Sequence, residues 1–218
     1  MLEQISPAVD FDRISISDQV YDHIKNLILS GVLQAGQRIP EKKLGDSFHV
    51  SRTPVREAIR KLAEYGLVVI KPRSYAYVAT IGLEEASDIT WVRLYLEKLS
   101  MRLFISVATP ASFPKLYETS EKCKRACAMG DYASAHESDS LLHLSIAQAT
   151  GNKELYTALY KLDAKLQLLR LKQHLSREAL NFYFDQHEEL LKLLAKGDLV
   201  KVETLLEKHI LHDLQLSS

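Results

Sequence analysis

Apolar positions recur at helical spacing three times in the first part of the chain and then give way to alternation. Val20, Ile24, Leu27 and Ile28 follow Ser17-Asp18-Gln19, and the pattern runs to Ser30 before Gly31 stops it, which predicts a first helix. Pro40-Glu41 opens a short second helix to about Phe48, since proline suits a first helical turn. Ser51-Arg52-Thr53-Pro54 supplies hydroxyl caps and another first-turn proline to a third helix, which carries Val55, Ile59, Leu62 and Ala63 inward and ends at Gly66. Residues 67–70 and 75–79 read as two short strands around Lys71-Pro72-Arg73-Ser74, a hairpin with a basic tip. Three helices followed by a hairpin predict a winged helix-turn-helix.

After the brief junction Thr80-Ile81-Gly82 the pattern is helical throughout. Helices are expected near residues 83–108, 111–129, 131–149, 152–174, 176–196 and 198–216, punctuated by Pro110, Gly130, Gly151, Ser176 and Gly197. The fold class is therefore mainly α. A winged helix-turn-helix domain over residues 1–80 precedes an all-α bundle of six or seven helices over residues 81–218. A length of 218 residues suits two domains, and 46% hydrophobic and 26% charged residues with only 8 Gly and 6 Pro fit a folded, helix-rich chain. No apolar run is long enough to span a bilayer and the N-terminus lacks a basic-then-apolar leader, so no membrane association and a cytoplasmic location are expected. Cys123 and Cys127, four apart on one helical face, read as ordinary helix residues rather than a redox pair.

The net charge of zero hides a local excess. Residues 36–73 hold 9 Lys/Arg against 4 Asp/Glu, the clustering that phosphate neutralisation requires. Arg52 and Arg56 lie four apart on one face of the third helix, where each guanidinium can fork onto guanine O6 and N7 or clamp a phosphate. Ser51 and Thr53 can bond the DNA backbone beside the helix N-terminus, Lys42 can add a phosphate contact, and Arg73 can reach the minor groove. One recognition helix reads few base pairs. Double-stranded DNA bearing a palindromic operator, bound by a homodimer, is the expected partner.

Gly31-x-Leu33-x-x-Gly36-x-Arg38-Ile39, Glu41-x-x-Leu44, the run from Val50 to Ile59 containing Ser-Arg-Thr-Pro-Val-Arg-Glu-Ala, Leu62 and Gly66-Leu67-Val68 together resemble the GntR family of bacterial transcription regulators. The resemblance implies that Arg52 and Arg56 are the principal DNA contacts, with Ser51, Thr53 and Lys42 assisting. Two positions depart from the family pattern. Ala35 stands where proline is usual, and the wing tip Pro72-Arg73-Ser74-Tyr75 lacks the usual glycine.

Six of the eight histidines fall in the helical half, at 136, 143, 174, 187, 209 and 212. Asp139 and His143 are four apart, so on a helix they share a side and could chelate one ion, although buried histidines also serve as hydrogen-bonded core residues. Asp139-x-x-x-His143, Thr150-Gly151-Asn152, the run Gln186 to Leu191, Gly197-Asp198 and Lys208-His209-Ile210 are similar to the FCD ligand-sensing domain of the FadR branch of the family. That resemblance implies a divalent cation held by Asp139, His143, His187 and His209. Three imidazoles and a carboxylate favour zinc or nickel. Such a set leaves coordination positions for a small carboxylate effector, and Arg93 resembles a position directed toward that effector. His136, His174 and His212 are read as surface or packing residues. The expected protein is a repressor controlled by a small acid, and not an enzyme. A metal-free helical domain that only dimerises is the alternative, with a metal-dependent hydrolase behind it.

Overall fold

The computed structural model describes residues 15–72, 75–170 and 177–215, and the chain divides into two compact units with the boundary between Ala79 and Thr80. The first unit contains helices α1 (Ile16–Leu29), α2 (Glu41–Phe48) and α3 (Arg52–Glu64), then strands β1 (Val68–Ile70) and β2 (Ala76–Val78). Helix α1 begins a turn earlier than the apolar spacing alone suggests, because Ser15 caps it by accepting the Asp18 N–H at 3.1 Å. Its Val20, Ile24 and Ile28 are buried, as are Val55, Ala58, Ile59 and Leu62 of α3, and the two helices pack together.

β1 and β2 pair antiparallel, with Val68 opposite Val78 and Ile70 opposite Ala76. Residues 36–39, which the sequence suggests only as the end of a turn, lie along the other edge of β2. Gly36 N–H donates to Val78 O, Val78 N–H to Gln37 O and Ile39 N–H to Ala76 O, at 2.8–3.0 Å. The hairpin is thereby anchored to the segment entering α2.

Helices α2 and α3 meet in a tight turn. His49 takes the left-handed conformation at φ 55°, and Val50 N–H bonds Gly45 O at 3.0 Å. A Cβ on Gly45 would stand 3.1 Å from Val50 O, so glycine is what lets α2 approach the turn.

The second unit contains α4 (Leu83–Val107), a 3₁₀ turn at Pro110–Ser112, α5 (Pro114–Ala128), α6 (Tyr132–Ala149), α7 (Lys153–Arg170), α8 (Arg177–Lys196) and α9 (Leu199–Gln215). The expected end of α7 near residue 174 and the expected stop at Ser176 lie outside the described residues. Helix α4 packs on α6, α7 and α9, and α8 on α5 and α9. Leu94, Met101, Phe104, Leu142, Ile146 and Val202 form part of an apolar core between them. Cys123 and Cys127 are buried free thiols in α5, and Cys123 Sγ donates to Ala135 O. Among the described residues no helix is long and apolar enough to cross a membrane.

Candidate DNA-reading face and buried metal centre

Helix α3 owes its exposed face to its amphipathic sequence. With Val55, Ala58, Ile59 and Leu62 turned inward, Arg52, Thr53 and Arg56 are exposed, and Ser51 is exposed at the N-cap. The expectation that Ser51 caps the helix through its hydroxyl is corrected, because its side chain makes no capping bond. Pro54 sits at the third helical position and has no N–H to offer such a cap. Arg56 Nε donates to Glu41 Oε2 at 3.0 Å, joining α3 to α2, where Lys42 is exposed. The Arg38 guanidinium lies over the Tyr75 ring, next to the turn of the hairpin. Arg73 lies outside the described residues.

In the second unit, α6 brings Asp139 and His143 inward on successive turns, α8 brings His187 and α9 brings His209. All four are buried, Asp139 and His187 completely. Asp139 Oδ1 is the point on which they converge. It lies 3.0 Å from His187 Nε2, 3.6 Å from His143 Nε2 and 4.0 Å from His209 Nε2. One donor atom from each residue falls within 4.8 Å of all the others.

Other side chains orient this set. His209 Nδ1 lies 3.1 Å from Gln186 Oε1, and its ring stacks on Tyr183 with centroids 3.9 Å apart. His143 Nδ1 lies 2.5 Å from Glu97 Oε2, and Arg93 Nε donates to Glu97 Oε1 at 2.6 Å. Arg170 donates to Asp139 Oδ2. Partners of this kind fix which ring nitrogen faces the centre.

The electrostatics follow from burial set against these neighbours. Burial alone would raise the Glu97 carboxyl, but Arg93 and His143 outweigh it and hold the pKa at about 2. Burial would lower His143, yet Glu97 and Asp139 carry it to about 9. Asp139 is held well below the usual carboxylate range, because Arg170 and the imidazoles outweigh its burial. His187 is pushed down by burial, and His209 well down by burial and by its two histidine neighbours. Those two rings are thus neutral at pH 7, the form that ligates a cation, whereas His143 must release its proton to serve as a ligand.

The donor set fits a cation on a structural criterion. Asp139 Oδ1 and the Nε2 atoms of His143, His187 and His209 are all buried without a hydrogen bond of acceptable geometry among the described residues. Four unsatisfied polar atoms facing one point are costly in an apolar interior, and a shared cation would satisfy all of them. Beside His143 a cavity of about 10 Å³, room for about one water molecule, is lined by Arg93, Glu97, Ser140, Asp163 and leucines including Leu144 and Leu159. Arg93 is one wall of this cavity. It is buried and locked to Glu97 on the cavity wall. His136 packs edge-on against Phe184, while His174 and the side chain of His212 lie outside the described residues.

Residues 16–78 match the family of bacterial regulatory proteins described as gntR, and residues 88–212 match the FCD domain. The chain belongs to the GntR family. This GntR-family chain is 32% identical to the HTH-type transcriptional regulator YdhC of Bacillus subtilis (strain 168) over 108 residues, covering 50% of this chain and 48% of that one. It is 29% identical to the HTH-type transcriptional regulator McbR of Escherichia coli (strain K12), covering 62% of this chain and 61% of McbR. The chain thus spans about half to three-fifths of these two relatives. The HTH-type transcriptional repressor RspR of the same strain is 25% identical, over 89% of this chain and 86% of its own. Among solved structures, E. coli McbR/YncC superposes with a TM-score of 0.82 at 23% identity, covering 93% and 97% of the two chains, a likeness of fold.

Sequence reasoning missed Glu97, Arg170 and Gln186 as parts of the centre. Arg170 carried a usable signal. It follows Leu159 and Leu166 in the register of buried positions on α7, where a solvated arginine has no place.

Proposed function

We propose that this protein is a DNA-binding transcription regulator, acting as a homodimer on a palindromic operator, whose DNA affinity is set by a small carboxylate bound at a metal centre. In this reading residues 1–80 bind DNA and residues 81–218 sense and dimerise. The supporting observation for sensing is the convergence of three imidazole Nε2 atoms on Asp139 Oδ1 inside the bundle. Asp139, His143, His187 and His209 would hold the ion, with zinc or nickel matching the donor set. When bound, the ion supplies an electrophilic anchor for a carboxylate.

The chain's own residues do the rest. Glu97 and Gln186 fix the His143 and His209 rings, and Arg93 on the cavity wall offers a cation to the acid. Because the cavity holds about one water molecule, an acid would enter only with side-chain movement, and that movement is what could bias one dimer arrangement over another. Arg52 and Arg56 read bases, while Ser51, Thr53, Lys42 and Arg73 contact the backbone or the wing's groove. The name of RspR supports repression as the sense.

The test combines two measurements on the full chain. Elemental analysis is expected to find one divalent ion per chain and to lose it in His143→Ala. Arg52→Ala and Arg56→Ala are expected to abolish operator binding in folded dimers. Full operator binding by both arginine variants overturns the recognition-helix assignment, and wild-type protein without a stoichiometric ion overturns the sensor.

A further inference from the structure

Arg170 closes the last described turn of α7, and although it is a cation it is only 8% exposed. Its guanidinium is spread over α6. Nη2 donates to Asp139 Oδ2, while Nη1 donates to Ser140 Oγ at 3.1 Å and to His136 O at 3.4 Å. Ser140 Oγ in turn accepts from Gln167 Nε2 at 2.6 Å and donates to Asp163 Oδ1 at 2.5 Å, both on α7. The side chain is therefore held at several points, and it reaches only one oxygen of Asp139.

A carboxylate can bind a cation through one oxygen or through both. Here the two oxygens are segregated. Oδ2 belongs to Arg170, and Oδ1 faces the three Nε2 atoms. A guanidinium held on several acceptors keeps its donor at a fixed point, which a lysine point charge does not do, so Oδ2 is occupied while Oδ1 is left to face the Nε2 atoms. We propose that Arg170 is a positioning residue that restricts Asp139 to one-oxygen ligation, so that the cation keeps a coordination position for effector that a two-oxygen carboxylate would take. The assignment rests on the metal reading given above. It adds a role for a residue that belongs to neither the donor set nor the cavity lining.

The experiment uses the full chain stripped of metal and titrated with Co²⁺, whose visible bands report coordination number. Wild type is expected to bind one Co²⁺ per chain with the strong bands of a low-coordinate site. Arg170→Met frees Oδ2, and its bands are expected to weaken and shift while the Co²⁺ stoichiometry is kept. A merely structural role would lower thermal stability and leave the spectrum unchanged. Should Arg170→Met fail to fold, Arg170→Gln decides, because the shorter neutral amide cannot hold Oδ2 and Ser140 together. A wild-type spectrum in the folded variant overturns the assignment. If wild type takes up no Co²⁺, the metal reading itself falls, and this role with it.

Discussion

Arg56 Nε donates to Glu41 Oε2 at 3.0 Å, so a carboxylate from α2 restrains a guanidinium on the exposed face of α3. Both side chains reach solvent, at 59% and 26% exposure, and such a pair contributes no more than about 1 kcal/mol to folding. Its value lies in orientation. Glu41→Gln is expected to leave Tm nearly unchanged, to strengthen binding to scrambled duplex by removing a negative charge, and to weaken discrimination for operator by roughly tenfold. Operator and scrambled-duplex affinities across a salt series measure this. An unchanged ratio between them overturns it.

Gly45 offers a test in which the usual sign reverses. In an exposed helix interior, Gly→Ala stabilises by roughly 1 kcal/mol. At position 45 the new Cβ would stand 3.1 Å from Val50 O, a backbone atom in a turn that the Val50 N–H to Gly45 O bond holds in place. Gly45→Ala is expected to destabilise by about 1 kcal/mol and Gly45→Val by up to about 3 kcal/mol, read from urea unfolding. An alanine variant more stable than wild type would show that the turn yields.

What the sequence made legible, and what it did not, follows from locality. The winged helix and the helical bundle could be read because each helix carries its own apolar stripe and stop, such as Gly130 at φ 77° and Gly197 at φ 69°. Asp139 and His143 share a side by spacing alone, whereas His187 and His209 joined them only through family resemblance. The backbone pairing of residues 36–39 with β2 was missed because β2 lies nearly forty residues away and pairing leaves no local pattern. Glu97 and Gln186 were missed for a related reason: a charged or polar residue looks solvated until its neighbours from other helices are known. The absence of a Ser51 side-chain cap was legible in principle, since Pro54 stands where the capping N–H would be.

Asp18 and Lys61 tie the start of α1 to α3 and give the first unit a pH-dependent contact. Hydrogen bonds from Lys61 and then Ser15 lower the Asp18 pKa from its ordinary 3.8. A carboxyl depressed in the folded state contributes stability above its unfolded pKa and loses that contribution as pH falls through the folded value. Asp18→Asn is therefore expected to lower Tm slightly at pH 7, with the difference from wild type closing below pH 3.8. The effect is small because both side chains are 44% exposed. Thermal melts at pH 7 and at the lowest pH where the fold survives test it; a gap that persists in acid rules the mechanism out.

The buried pair Arg93–Glu97 is expected to behave differently from the surface pairs. Each side chain is 3% exposed, with 2.6 Å between Nε and Oε1, so removing one partner takes a short charge-assisted bond from a buried ion. Such losses cost about 3–5 kcal/mol, whereas replacing both partners with apolar residues costs far less. Glu97→Leu takes from Arg93 its 2.6 Å partner and also removes the carboxylate beside His143 Nδ1, so it is expected to be the more damaging single change of the pair. Arg93→Met leaves Glu97 with the His143 contact and is expected to cost less. The double variant Arg93→Met/Glu97→Leu should recover stability relative to Glu97→Leu alone, and a double-mutant cycle in urea isolates that coupling. Additive losses would mean that the two side chains contribute independently to folding, and would overturn the coupling.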